Sequence, residues 1–469
     1  MQQLSGLDAS FVYSESAHAP THVTSILIYD QSTAPKGEVT FKGILEHIEQ
    51  RLHLAHAFRR RLVRVPFDLD HPYWIEDGEF DLEYHVRHIA LPKPGDWRQF
   101  CIQTARLHAR PLDLARPLWE MYVIEGLDGV EGVPKGSFGV VLKVHHAAID
   151  GMAGVELITA IQDQTPDAGP PPPPAEPWAP ERVPTSAELL SRAAANNLTR
   201  PAHFARVMGR VVPGMGRAAG QLRSSGGTAP QTRAPRTRFN GPVTPHRVID
   251  AFFTTITSAK GIKSAVAGAT INDVVLTVYG GGLRTYLTAK GELPDTSLLA
   301  MCPISLRSAV EARAGGNQVS AMVVPLGTNI ADPLERLKSV QAASHSSKEF
   351  AEASDARSLS ELSQFTPGGL VGIGMRFSSR FARIAPALAN TTCTNVPGAR
   401  EPLYFAGAKN VSSFGAGPVV DGMGLINVIT SYCDELVLAF TACREMMPDP
   451  AFYRECLAEA WVALEDATE

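Results

Sequence analysis

The run Pro170–Pro174, inside a stretch from Pro166 to Pro184 that holds several further prolines, decides how this 469-residue chain can be divided. Proline has no amide hydrogen and a fixed φ, so neither a helix interior nor a central strand passes through such a run. It reads as a semi-rigid, extended connector. A chain of this length exceeds what one hydrophobic core usually serves, and the connector supplies the break. The expected organisation is a first domain over residues 1–164, a Pro- and Arg-rich linker over 165–245 and a second domain over 246–469. Within the linker, Thr185-Ser186-Ala187-Glu188 has the pattern of a capping box that opens a helix through Asn197. From Ser191 to Asn240 there are nine arginines and no Asp or Glu, interleaved with Leu198, Phe204, Val207, Met208, Val211, Val212 and Met215. Two readings fit: an exposed crossover between domains, or a basic, partly amphipathic surface for anionic lipid. Pro201, Pro213 and several glycines interrupt the helical period.

The chemistry gathers just before the connector. Ser137–Leu142 is an apolar run that reads as a buried strand ending at His145-His146, and beyond it Val155, Ile158 and Ile161 recur at helical spacing. A strand that runs out in titratable groups before a helix presents a side chain rigidly. Histidine is the natural general base near neutral pH. Asp150, four residues after His146, would orient an imidazole or pin the loop through an ion pair, and Gly151 would allow a tight turn. The plainer alternative is a pair of histidines that only hydrogen-bonds the strand end. A metal site is disfavoured, because no Cys or Glu falls at short ligand spacing and His-x-x-x-His is absent.

Elsewhere Val23–Tyr29 and Ile249–Thr255 read as strands, Leu425–Tyr432 and Glu435–Thr441 as a hairpin around Cys433-Asp434, and Pro450–Leu464 as a helix. Thr394-Asn395-Val396-Pro397-Gly398 reads as a strand leading into a turn. Thr270-Ile271-Asn272-Asp273 looks like a helix start, with Thr270 as N-cap, Asp273 at the third position and Asn272 in the first turn. Gly280-Gly281-Gly282 inside that helix would cost stability unless a neighbouring backbone or an acyl chain packs closely there. Hydrophobic and charged fractions of 44% and 19% describe an ordinary globular protein. A net charge of -5 argues against a dedicated nucleic-acid binder. Cys101, Cys302, Cys393, Cys433, Cys443 and Cys456 form no C-x-x-C pair, which fits reduced thiols in a cytosol. Met1–Ser5 lacks the opening of a signal peptide, and no apolar stretch is long enough to span a bilayer. The expected location is cytoplasmic, with any membrane contact peripheral.

His145-His146-x-x-x-Asp150-Gly151 resembles the HHxxxDG signature of CoA-dependent acyltransferases, a superfamily that includes chloramphenicol acetyltransferases and peptide-synthetase condensation domains. Within it the chain is most similar to the bacterial wax ester synthase/acyl-CoA:diacylglycerol acyltransferases. Leu4-Ser5-Gly6-Leu7-Asp8-Ala9-Ser10-Phe11 resembles the family's opening, with Thr21-His22-Val23 after it. Pro117-Leu118-Trp119 matches its Pro-Leu-Trp element and Asn272-Asp273 its Asn-Asp motif. Pro303-Ile304-Ser305-Leu306-Arg307, Gly316-Asn317 and Thr394–Gly398 match further blocks in the same order.

The resemblance implies an α/β architecture of two chloramphenicol-acetyltransferase-like sandwich lobes facing each other across a central tunnel. The N-terminal lobe carries HHxxxDG, and the C-terminal lobe follows the linker. It implies transfer of a long-chain acyl group from acyl-CoA to diacylglycerol or a long-chain alcohol, with acyl-CoA as co-substrate and neither cofactor nor metal. His146 would be the general base and His145 an orienting neighbour. Asp150 would be structural, held by an arginine for which Arg59 and Arg307 are candidates. Asn272 or a backbone N–H is a candidate donor to the oxyanion, with bracing the histidine loop or simply supporting the helix start as the alternatives for Asn272; Gly151 and Asp273 would support the motifs. Pro117, Leu118 and Trp119 would pack the core or line the tunnel. The expected partners are acyl-CoA, the acceptor lipid and a membrane or lipid-droplet surface, with no nucleic acid. Two other readings remain open: a condensation-type enzyme using carrier-protein thioesters, and a non-catalytic lipid-surface protein. Asp421-Gly422-Met423-Gly424 faintly echoes Asp150–Gly154, but the positions upstream of it, Ala416 and Gly417, are not histidines.

Overall fold

Residues Phe138–His145 are buried without exception, and the strand they form is the axis of the first half. A computed structural model describes residues 1–149, 153–198, 233–305, 319–353 and 387–469. In chain order the strands of the first half are β1 (Gln2–Gln3), β2 (His22–Asp30), β3 (Arg60–Val63), β4 (Tyr73–Glu76), β5 (Val86–Ala90), β6 (Trp119–Glu125) and β7 (Phe138–His145). Its helices are α1 (Gly6–Ser14), α2 (Phe41–Glu49), α3 (Leu82–His85), α4 (Trp97–His108) and α5 (Ala153–Ile161). Helix α6 covers 186–198, where Thr185 and Glu188 make the reciprocal bonds of the anticipated capping box. The second half then runs β8 (Arg247–Thr255), α7 (Ile256–Ser264), α8 (Ile271–Ala289), β9 (Leu299–Ser305), β10 (Val319–Pro325) and α9 (Pro333–Ala353). It ends β11 (Thr391–Pro397), β12 (Tyr404–Phe405), β13 (Ala408–Ala416), β14 (Leu425–Tyr432), β15 (Glu435–Cys443) and α10 (Pro450–Asp466).

Two six-stranded mixed sheets result, ordered β12-β13-β2-β7-β6-β5 and β10-β9-β11-β14-β15-β8. A strand buried along its whole length, as β7 is, needs cover on both faces, and it has it. One face packs Val140, Leu142 and Val144 against Ile44 and Ile48 of α2 and Leu157 and Ile161 of α5. The other packs Val141 under Phe100 and Ala105 of α4, in a cluster that also takes in Ile249, Ala251, Val437 and Ala439 of the second sheet. The two sheets therefore share a core at this face. Each such side chain contributes about 1.5–3 kcal/mol when fully buried.

The sheets do not follow the division of the chain at residue 246. After β11 the chain leaves the second sheet, adds β12 and β13 to the first with β13 antiparallel to β2 and β12 at the edge, and returns as β14. Local patterning cannot show this, because β13 alternates buried and partly buried residues like any half-buried strand. The anticipated hairpin of β14 and β15 is present, with Cys433 at φ 52 in its turn.

Helix α8 starts as its sequence predicts: the Thr270 side chain accepts from the Asp273 amide, and the Asp273 carboxylate accepts from the Thr270 amide. Its three glycines are explained by neighbours of the chain itself. A Cβ on Gly280 would lie 2.0 Å from the Leu326 carbonyl oxygen, and one on Gly282 would lie 2.7 Å from Leu457 of α10. A neighbouring backbone, not an acyl chain, fills the space at Gly280. Asp421 is likewise structural: one carboxylate oxygen accepts from the Val243 amide, 2.9 Å away. All six cysteines are free, five of them buried. Among the described residues no helix is long and apolar enough to cross a membrane.

Candidate active site

Strand β7 delivers the histidines in a defined register. His145 pairs with His22 across β2, and its amide donates to the Leu118 carbonyl at 2.9 Å. A short 3-10 turn, His146–Ala148, follows at once. The His146 amide donates to the Thr21 carbonyl at 2.9 Å, so the chain is clamped on both sides of the pair.

His145 is fully buried, and its contacts define its tautomer. Nδ1 lies 3.0 Å from the Ala147 amide, which can only donate, so Nδ1 accepts. Nε2 then carries the proton and donates to Glu15 Oε2 at 2.9 Å. Thr21 Oγ1, 3.1 Å away, shares that proton while donating its own to the Phe11 carbonyl. Both nitrogens of His145 are thus engaged, Nδ1 with the turn and Nε2 with Glu15.

His146 is placed differently. Its ring stacks on Phe11, with centroids 3.8 Å apart and planes at 12°. Nδ1 is buried and makes no hydrogen bond among the described residues. Burial, with the neighbouring His145 adding to it, pushes the pKa down to about 4 against the pull of its own backbone carbonyl. The imidazole is neutral at pH 7, the form in which it can accept a proton.

A buried polar row continues along the same face of the sheet. Lys143 is inaccessible to solvent; its Nζ donates to the Arg110 carbonyl at 2.8 Å and meets Glu120 Oε2 at 3.3 Å. Tyr122 donates to the same carboxylate oxygen at 2.8 Å. Thr24 donates to His108 Nδ1 at 2.7 Å, and His108 Nε2 donates to the Gly417 carbonyl at 3.1 Å, tying helix α4 to the segment after β13. His22 donates through Nε2 to the His108 carbonyl at 2.6 Å. Burial holds His108 down to about 3 and His22 well below its usual value.

The anticipated residues separate into groups. Asp150, Gly151 and Arg307 lie outside the described residues, as do Gly316-Asn317. Arg59 places its guanidinium 4.7 Å from the centre of the Trp178 ring, and its Nε finds no acceptor among the described residues. Asn272 is half-buried in the first turn of α8, and its amide makes no hydrogen bond among the described residues. Asp273 is spent on the cap. Of the two readings of Pro117, Leu118 and Trp119, the burial matches core packing: Leu118 and Trp119 are both 1% exposed within apolar clusters, beside the buried Pro117. Trp119 donates to the Phe58 carbonyl at 3.0 Å and stacks on His85. The Pro-Leu-Trp element meets the histidines through backbone, by the bond from the His145 amide to the Leu118 carbonyl. Sequence reasoning missed Phe11 and Glu15. They lie four residues apart at the end of α1 and its C-cap, a spacing that puts both on one face toward the histidines. The only signal was that the opening block ends at Phe11 and stands four residues before Glu15. Among the described residues no group of His, Cys, Asp and Glu is arranged to hold a metal ion.

Residues 4–275 match the wax ester synthase/diacylglycerol acyltransferase catalytic domain, and residues 315–465 match the WS/DGAT C-terminal domain. A Mycobacterium tuberculosis (strain H37Rv) protein carrying a diacylglycerol O-acyltransferase name is 33% identical over 452 residues, covering 96% of this chain and 87% of that protein. A Mycobacterium bovis protein with the same kind of name is 32% identical over 474 residues, covering 100% of this chain and 99% of its own. The wax ester synthase/diacylglycerol acyltransferase from Marinobacter aquaeolei VT8 superposes over the full length of both chains with a TM-score of 0.70 at 23% identity. The first condensation domain of the calcium-dependent antibiotic synthetase shares the fold, with a TM-score of 0.56 at 14% identity over 100% of this chain and 96% of that one. The chain belongs to the wax ester synthase/diacylglycerol acyltransferase family. It has the two-lobe acyltransferase fold and is an acyltransferase.

Proposed function

We propose that this acyltransferase moves a long-chain acyl group from acyl-CoA to the hydroxyl of diacylglycerol or of a long-chain alcohol, with His146 as general base. The observation that carries the reading is the His146 ring itself: neutral, stacked on Phe11, and fixed at the end of a rigid strand within the family's motif. Nε2 of His146 takes the acceptor's hydroxyl proton as its oxygen attacks the thioester carbonyl. The tetrahedral intermediate collapses with cleavage of the C–S bond, and the departing thiolate takes the proton back from His146. No covalent enzyme intermediate is needed. Base catalysis contributes about 10²–10⁴-fold, and positioning of two bound substrates supplies much of the rest. The unengaged Asn272 amide is the side chain proposed to donate to the oxyanion.

Both proposed acceptors partition into lipid, so the enzyme has to meet a lipid surface. Phe67 and Leu198 are 87% and 83% exposed, and Asn197 donates to the Leu69 carbonyl, which brings α6 to the Phe67 turn. Phe67 and Asp68 both have positive φ, a turn that projects the phenyl ring outward. This apolar pair stands where the acid-free, arginine-rich segment begins, and it supports peripheral docking on a membrane or lipid droplet.

The test is thiol release from palmitoyl-CoA by the purified protein, with dioleoylglycerol and hexadecanol as separate acceptors and palmitoyl-loaded carrier protein as a rival donor. Acceptor-dependent release from palmitoyl-CoA is expected. Release from the carrier-protein thioester alone would overturn the donor assignment.

A further inference from the structure

The catalytic turn is held by a carboxylate that no motif contains. Glu15 is the C-cap residue of α1, and its side chain is 8% exposed. Oε2 receives the His145 Nε2 proton at 2.9 Å, while Oε1 is buried and makes no hydrogen bond among the described residues. A carboxylate is desolvated only at a cost, and one left half-satisfied is costlier still. The compensation visible here is its charge-assisted bond to His145. From there the connection is continuous: Glu15 sets the proton on Nε2, Nδ1 is thereby an acceptor, and the Ala147 amide is drawn onto it. Ala147 lies in the turn that begins at His146. One turn earlier on α1, Phe11 stacks on the His146 ring, so a single helix end steadies both histidines.

We propose that Glu15 is a positioning residue for the transfer reaction: it locks His145 as the Nε2–H tautomer and so fixes the turn that aims His146. This rests on His146 being the base. Without the Glu15 carboxylate, Nε2 keeps only the longer, neutral contact to Thr21 Oγ1 at 3.1 Å; the opposite tautomer becomes available to His145, with Thr21 turning its hydroxyl toward Nε2, and Nδ1–H would then face the Ala147 N–H. The turn would have to shift, and sub-ångström to ångström errors at a reacting group cost about 10–10²-fold in rate.

The experiment compares the parent, Glu15→Ala and Glu15→Gln as full-length proteins with matched circular dichroism. Long-range nitrogen–proton NMR on histidine-labelled protein reads the His145 tautomer without any turnover. Steady-state kinetics with palmitoyl-CoA read kcat and KM separately. The parent should show a protonated Nε2 and bare Nδ1 at His145. Glu15→Ala should gain Nδ1 protonation and lose tenfold to a hundredfold in kcat, with KM within threefold. Glu15→Gln, whose amide oxygen accepts the same proton, should keep the tautomer and recover at least a third of the parent kcat. An unchanged tautomer in Glu15→Ala, or a Glu15→Gln variant as slow as Glu15→Ala, would overturn the proposal. A parent that transfers no acyl group would refute the function assigned above while leaving the tautomer measurement to judge Glu15.

Discussion

Adding one methyl group to a glycine should have opposite effects on two helices of this protein. Gly261 lies in α7, and a Cβ built on it meets nothing within 4 Å. Ala exceeds Gly in helix propensity by about 0.8–1.0 kcal/mol, so Gly261→Ala should stabilise by up to that amount. Gly280 lies in α8, and the same Cβ would come 2.0 Å from the Leu326 carbonyl oxygen and 3.0 Å from its carbon. Real Cβ contacts begin above 3 Å, so α8 or the Leu326 segment has to move by about 1 Å. The obstacle is backbone and cannot rotate away. Overpacking of this kind costs about 1–3 kcal/mol, occasionally more, and outweighs the propensity gain. Gly280→Ala should therefore destabilise by about 1–2 kcal/mol net, while Gly282→Ala, which meets the rotatable Leu457 side chain, should fall between the two. Urea unfolding followed by circular dichroism gives the three midpoints directly. A Gly280→Ala midpoint at or above the parent's would refute the packing of α8 against Leu326. That packing sets the position of Asn272 at the head of the same helix.

Three further outcomes follow from the buried groups. His146 and His108 are held to about 4 and about 3, and His22 well below its usual value, whereas their unfolded counterparts take up protons near pH 6.5. The unfolded chain then binds more protons below that pH, each such histidine contributing a slope that approaches ~1.4 kcal/mol per pH unit. The urea midpoint should fall steadily from pH 7 to 5.5, and a flat midpoint would contradict the burial of these rings. For activity, the low value of His146 predicts that kcat/KM keeps its plateau through pH 6 and declines only toward pH 4; an acid limb near 6.5 would place the base elsewhere. Trp119→Phe leaves the Phe58 carbonyl without its donor, which should cost about 1–3 kcal/mol in stability. It should not change the preference between lauroyl- and palmitoyl-CoA, and a shifted preference would return Trp119 to the tunnel wall.

Much of the local structure was legible because each element carried its own signal. The apolar run Ser137–Leu142 read as a buried strand ending at the histidines, and β7 is one, covered on both faces. Thr270 and Asp273 stood at capping-box spacing and make both of its bonds. Non-local pairing left no such trace. Nothing in Ala408–Ala416 says that it crosses to β2, since its alternation suits either sheet equally. The site shows the same division. The histidines stood out because their chemistry and spacing are rare together. Glu15 did not, because a single glutamate past the end of a short helix is ordinary until the fold carries it across 130 residues to His145. Trp119 was open between a core and a tunnel wall in the sequence, and its burial with the indole bond to the Phe58 carbonyl matches the core reading.

The central claim is that His146 takes the acceptor's proton. The direct measurement is the rate of ester formation, followed by mass spectrometry, for the parent, His146→Ala and His146→Gln with palmitoyl-CoA and the better acceptor. The three proteins should be matched by circular dichroism and urea midpoint. Loss of the base should lower kcat by about 10²-fold or more in both variants while the fold is kept. Ester formation within a few-fold of the parent in a folded His146→Ala protein would contradict the account.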